Sequence, residues 1–366
     1  MSNTFKTLGR RSFLKRGGTA ALGAGMLGGL PTKLLAASGT LNWLTWENYT
    51  QGYYMEPFRE KTGFDFNFGQ ISNDDELLAK MMAGGTRDWD IITPGLNTIP
   101  IYIENGLLSP LNLDNIPNAA RVLEPFKKVS WNKDADGNVY ALPMAWGINA
   151  VAYRTDKMDH PESWSAFFDE KYAGKIALWD YAVESIVVAA LHVGISPDRL
   201  WVMDDKELAE CKKALLAQKK LVRTYWSSLS DVTNLLASGE IWMAYSWVPP
   251  VYELQGQGMP IGLAIPKEGA VGWADNNCVT AGVTDPEKMA ACEAFINYIL
   301  SADFIETLAE KGPYAGGADT AMDRLSDEQK KRVFLDDLSV MDTFLWRQQP
   351  TGYDRWVKLW DEVKAS

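Results

Sequence analysis

The chain has 366 residues, 46% hydrophobic and 23% charged, with 36 Lys or Arg against 47 Asp or Glu and a formal net charge of −11. The length allows two domains of ordinary size, and the acidic balance repels nucleic acid and anionic membrane surfaces alike. Only His160 and His192 occur, with no His-x-x-x-His or Cys-x-x-Cys pair, so zinc sites and Ser-His-Asp or Cys-His machinery lack their usual parts and no metal or other cofactor is expected.

The first element is a leader. Gly9-Arg10-Arg11-Ser12-Phe13-Leu14-Lys15 has the paired arginines, Phe-Leu and Lys of a twin-arginine export signal; an apolar Gly/Ala-rich run and Ala36-Ala37-Ser38 follow. Residues 1–37 are therefore expected to be a signal peptide, cleaved near residue 37 or 38, and the mature chain to work in the periplasm. The leader carries Lys6, Arg10, Arg11, Lys15, Arg16 and Lys33 and no acidic residue, so its removal takes the formal charge from −11 to −17. No cysteine stands at the cleavage region for a lipid anchor, and no later segment reaches about 18 uninterrupted apolar residues, so no membrane insertion is expected.

In chain order, Thr40–Trp46 reads as a strand, Tyr53–Lys61 as a helix closed by Thr62-Gly63, and Phe64–Phe68 as a second strand. Asn73–Met82 reads as a helix with an Asn-Asp-Asp start and a Gly84-Gly85 stop. Asp90–Thr93 reads as a short buried strand and Pro100–Glu104 as a short helix. Asn132–Asn138 opens like a calcium loop, but Pro143 stands where the bidentate Glu belongs, so a hairpin turn is predicted. The alternation then repeats: strands over Val151–Arg154, Lys175–Trp179 and Ile241–Ser246, and helices over Trp164–Phe168, Ser185–Val193, Lys206–Lys219 and Ser230–Ser238. Asp285–Leu300 is a further helix with Pro286 in its first turn and an apolar stripe of Met289, Cys292, Phe295 and Ile296. Helices over Asp327–Leu335 and Tyr353–Lys364 close the chain. Such alternation predicts α/β architecture with mostly parallel sheet. Cys211, Cys278 and Cys292 make an odd set; a Cys278–Cys292 bridge is open to an exported protein, while the place of Cys292 on an apolar stripe favours a buried free thiol.

Aromatic residues sit beside carboxylates where predicted strands end, the edge that lines the crevice in open α/β sheets. Three clusters do so: Trp46-Glu47-Asn48-Tyr49, Asp180-Tyr181-Ala182-Val183-Glu184 and Tyr245-Ser246-Trp247. A fourth, Trp273-Ala274-Asp275, follows a Gly-rich turn. An alkylammonium suits such a site, since ring faces attract its charge by about 0.5–2 kcal/mol each and its N–H donors need anionic acceptors.

These motifs resemble the periplasmic spermidine/putrescine-binding proteins of ABC transporters. The markers run in order through the chain: Leu41–Tyr49, Phe58-Arg59-Glu60-Lys61-Thr62-Gly63, Asp90-Ile91-Ile92-Thr93-Pro94, Leu142–Gly147, Ser238-Gly239-Glu240 and Trp273-Ala274-Asp275. The resemblance implies a type II periplasmic-binding-protein fold: two α/β lobes joined by a hinge, one of 39–147 plus 278–320, the other of 148–276 plus 321–366. It also implies a monomer that passes a small cationic amine to an inner-membrane ABC permease. Carried over residue by residue, it puts Trp46, Tyr49, Glu184, Trp273, Asp275 and Tyr314 in a polyamine site, with Tyr245 where the family has Trp. Trp247 joins them from its own cluster. Other positions depart: Tyr181 stands for an Asp, Gly95 and Asn97 for a Ser and a Tyr, and a late Gln falls at Arg347 or Gln348. These changes suit a ligand with fewer positive charges, and Arg347 can hold a carboxylate or pair with Asp or Glu across the lobes. Two alternatives follow: a receptor for a carboxylated, amino acid-like amine, and an exported enzyme of the folded, cofactor-bearing kind that the twin-arginine route often carries.

Overall fold

The computed structural model describes residues 39–366, so the expected leader lies outside the described residues. Strands β1 (Thr40–Trp46), β2 (Asp65–Ile71), β3 (Ile91–Ile92), β4 (Leu108–Ser109) and the long β5 (Leu142–Arg154) come first. They are followed by β6 (Ile176–Trp179), β7 (Val222–Trp226), β8 (Met243–Trp247), β9 (Ile261–Ala264), β10 (Val271–Thr280), β11 (Ala315–Gly316) and β12 (Leu345–Trp346). Their hydrogen-bonded order is β2-β1-β3-β10-β5-β8-β6-β7, with β4 and β12 on β10 and with β9 and β11 on β5.

β1 is parallel to β2 and β3, and β6 is parallel to β7 and β8. The antiparallel pair β5–β10 joins these two parallel blocks, and its register breaks between Asp275 and Asn276. Each block carries its own core. One gathers Leu41, Trp43, Phe58, Phe66, Trp146 and Phe295, with Leu44, Leu77 and Ile92 in a smaller cluster beside it. The other gathers Val151, Trp164, Ile186, Trp226, Met243 and Trp356. β5 passes from one core to the other between Ala150 and Val151. Of the C-terminal stretch, Leu325, Val333, Leu335 and Phe344 pack into the first core, while Trp356, Leu359, Trp360 and Val363 pack into the second.

Local signals explain most elements. Asn73 caps the helix Asp74–Met82 by accepting from the Glu76 amide at 2.8 Å, and Asp204 with Glu207 forms a capping box on Asp205–Lys219. Gly63, at φ 75°, ends Gly52–Thr62 in the left-handed conformation that favours glycine. In the Asn132–Asn138 segment, Asp134 accepts from the amides of Asp136 and Asn138 at 3.0 and 2.9 Å, which folds it as a turn. The three cysteines are buried free thiols.

Several elements differ from the sequence expectation. β5 starts at Leu142, well before the predicted Val151, and β10 is a full strand where only a motif after a turn was read. Both are buried along nearly their whole length, so neither shows the polar alternation that betrays a strand. β7 and β9 and the helices Pro249–Gly256 and Ala302–Lys311 were not predicted; Val222–Trp226 mixes Arg, Thr and Tyr on a half-exposed edge strand. Trp164–Phe168 is a 3-10 turn, not an α-helix.

Candidate functional site

The cleft is built where strands end. Trp46 closes β1 and leads into Asn48 and Tyr49; Trp179 closes β6; Trp247 closes β8; Trp273 and Asp275 lie on β10, just before its register break. With Tyr314 and Arg347 these residues line a cavity of about 40 Å³ between the two blocks.

Asp275 forms one pole. It is 9% exposed, and the Tyr49 hydroxyl donates to its Oδ2 at 2.7 Å. Among the described residues no cation pairs with it, because Arg347 is held by Glu184 and Asp74. Burial pushes its pKa up to about 8 against the Tyr49 hydrogen bond, with Asp74 adding to the rise and Arg347 opposing it. The Trp46 indole N–H also favours this carboxylate but falls outside hydrogen-bonding geometry; the Trp273 N–H likewise has no partner. Burial, then Asp275, raises the Tyr49 pKa, so Tyr49 remains a neutral donor.

Aromatic rings make the walls. Trp273 meets Tyr314 edge to face, centroids 5.3 Å apart, and Trp247 meets Trp179 in the same way at 5.0 Å. Trp273 lies directly on the backbone of β5: a Cβ at Gly147 would come within 2.7 Å of its ring. A glycine is needed there for the ring to sit so low.

Arg347 forms the other pole. Its backbone N–H donates to the Gly272 carbonyl at 2.9 Å, extending the pairing of β12 with β10. The guanidinium is buried, 2.5 Å from Glu184 Oε1 and 3.8 Å from Asp74 Oδ2. It also stacks over Trp179 and Tyr181 at 5.8 and 6.0 Å. The Tyr245 hydroxyl donates to Glu184 Oε2, and the Gly95 amide donates to Asp74 Oδ1 at 2.8 Å. Burial works to lower the Arg347 pKa, but Glu184, Tyr181 and Asp74 together outweigh it and raise it. Glycine at 95 is what admits Asp74, since a Cβ there would come within 2.8 Å of Oδ2.

Of the residues singled out from sequence, Trp46, Tyr49, Trp247, Trp273, Asp275, Tyr314 and Arg347 line the cavity. Tyr181, Glu184 and Tyr245 stand one layer back, against Arg347. Asp180 turns away, bonding Trp360 and Lys364 of the C-terminal helix at 2.9 Å each. Asn48, noticed only as part of its cluster, and Trp179, read only as the end of a strand, also belong to the lining. Asp74 was missed outright, because its place beside an N-cap already accounted for it.

The sequence profile of the bacterial extracellular solute-binding proteins matches residues 53–332. The chain belongs to that family. It is 26% identical over 278 residues to spermidine/putrescine-binding periplasmic protein 1 of Haemophilus influenzae, covering 75% of this chain and 74% of the relative. It is 23% identical over 352 residues to the putrescine/agmatine-binding protein of Pseudomonas aeruginosa, covering 90% and 93%. The fold is shared with the spermidine/putrescine ABC transporter substrate-binding protein of Streptococcus pneumoniae, at a TM-score of 0.73 and 21% identity over 89% of this chain and 99% of that one. This solute-binding protein thus has the two-lobed α/β architecture of its class and is homologous to polyamine-binding proteins. Its family is one of solute-binding proteins. No helix among the described residues is long and apolar enough to cross a membrane.

Proposed function

We propose that this solute-binding protein captures a cationic organic amine, of the polyamine class or a close relative, in the periplasm and delivers it as a monomer to an inner-membrane permease. In this reading residues 1–37 are a twin-arginine leader removed on export. The two cores are lobes that close on the amine, and β5 and β10 are the crossovers between them. One observation carries the reading: Asp275 is a buried carboxylate without an ion-pair partner among the described residues, walled by Trp46, Trp273 and Tyr314. A buried carboxylate is costly to ionise unless a cation meets it, and an alkylammonium supplies the charge while the rings cover its stem. Relatives that bind putrescine, spermidine or agmatine by name make the class plausible chemistry for this scaffold.

Arg347 at the cavity wall favours a second reading, an amine that also carries a carboxylate. A thermal-shift panel on the mature chain separates the two. Stabilisation by putrescine, spermidine or a simple alkylamine supports the first, and stabilisation by zwitterions alone supports the second. If no amine moves the melting temperature, both readings fail.

A further inference from the structure

Taking the amine reading as its basis, we infer that the cleft is selective for an amine with one ammonium and an uncharged far end, because Arg347 already occupies the second cation place. The pole opposite Asp275 holds two buried carboxylates, Glu184 and Asp74, and both are ion-paired with Arg347. Glu184 Oε1 faces Arg347 at 2.5 Å and Oε2 accepts from Tyr245. Asp74 Oδ1 accepts from the Gly95 amide at 2.8 Å, and Oδ2 faces Arg347 at 3.8 Å. Neither carboxylate lines the cavity, whereas Arg347 does, so a second ammonium arriving at this end meets the guanidinium first. The nearby ring faces of Trp179 and Tyr181 are also taken by the guanidinium.

A diamine would bring its second charge against a buried guanidinium, where the low local dielectric makes like-charge repulsion large. A carboxylate fares no better, since it would compete with Glu184 for the same guanidinium and lie beside Asp74. Arg347 is not free to withdraw. Its guanidinium is held by Glu184 and Asp74, and withdrawing it would strand two buried carboxylates without a cation. Its buried Nε, however, has no hydrogen-bond partner, and an N–H donor in that state suits a neutral acceptor such as a hydroxyl.

Three probes on one four-carbon stem isolate the far end: 4-aminobutan-1-ol, putrescine and 4-aminobutanoate. Isothermal titration of the mature chain is expected to show the amino alcohol binding at least about tenfold more tightly than either of the others. Arg347→Gln, which removes the charge but keeps a donor, should move putrescine ahead of the amino alcohol, and putrescine should raise the melting temperature of that variant. Arg347→Lys, which keeps the charge, should preserve the wild-type order even if the Gln variant does not fold; inversion of the order in the Lys variant overturns the inference. Putrescine ahead in the wild-type chain would overturn it while leaving the amine reading in place. A lead for 4-aminobutanoate would overturn it and make Arg347 a carboxylate anchor. Binding of none of the three, nor of spermidine, would remove the amine reading and this inference with it.

Discussion

Asp275 and Trp273 concentrate the chemistry of the cleft, and both respond to changes that do not touch a ligand. With its pKa at about 8, unliganded Asp275 is mostly protonated at neutrality, so ammonium capture releases a proton and affinity should climb with pH until about 8 and then level off. The same shift bears on stability. The folded pKa lies above the ordinary carboxylate value of 3.8, so the contribution is complete below about pH 4 and is lost as pH rises through about 8. Asp275→Asn should therefore flatten the melting temperature of the unliganded chain between those limits and abolish amine titration; an unchanged pH profile would show that another group is responsible. Gly147→Ala tests the platform. A methyl 2.7 Å from the Trp273 ring must lift it, which should weaken binding by about 1–3 kcal/mol, measured by titration with little change in fold by circular dichroism. At this scale much was legible: strand-end aromatics and Asp275 announce themselves by type and position. Asp74 did not, because its partner Arg347 is far away in sequence and nothing local shows that Gly95 leaves it room.

At the scale of elements, the C-terminal helix Tyr353–Ala365 packs its Trp356 and Trp360 into the second core, yet the Tyr353 hydroxyl donates to Asp75, on a helix of the first, at 2.5 Å. Burial raises the Asp75 pKa against this hydrogen bond. The contact fastens the two blocks beside the Arg347–Asp74 pair without any ligand. Tyr353→Phe should loosen it, enlarging the radius of gyration of the unliganded chain in small-angle scattering and costing about 1 kcal/mol of affinity, since closure must then be driven further by the amine. Equal scattering from both forms would mean that the hydroxyl plays no part in closure. Helices with polar caps were readable because caps and stops are local; β5 was not, because a strand buried on both faces looks like any apolar run, and β10 was not, because Asp275-Asn276-Asn277 interrupts its apolar residues.

For the whole molecule, the order of the motifs along the chain was enough to read a two-block α/β architecture, while the exchange of the C-terminal stretch between cores was not, since it depends on which block each apolar residue meets. The formal charge of −17 on residues 38–366 makes long-range attraction of cations a property of the whole surface, not of the cleft. The association rate of a cationic amine should accordingly fall as salt rises from about 0.01 to 0.15 M, as the screening length shortens from roughly 30 to 8 Å, with dissociation nearly unaffected; stopped-flow tryptophan fluorescence reads both. A salt-independent association rate would show that local contacts alone guide entry.

In the proposed reading of two lobes closing on an amine, the register break beside Asp275 has a kinetic consequence. A group on the strand shared by two rotating bodies lies close to the axis, and a rotation displaces it little however wide the angle. Trp179 and Trp247, on the opposite block, lie off that axis and swing with their lobe. When the lobes part in that reading, Trp179 and Trp247 leave the stem first, while Trp273 stays with Asp275 on their shared strand. A solute leaves such a site tail first, still tethered at its ammonium, and recaptures readily if the lobes close again before the tether breaks.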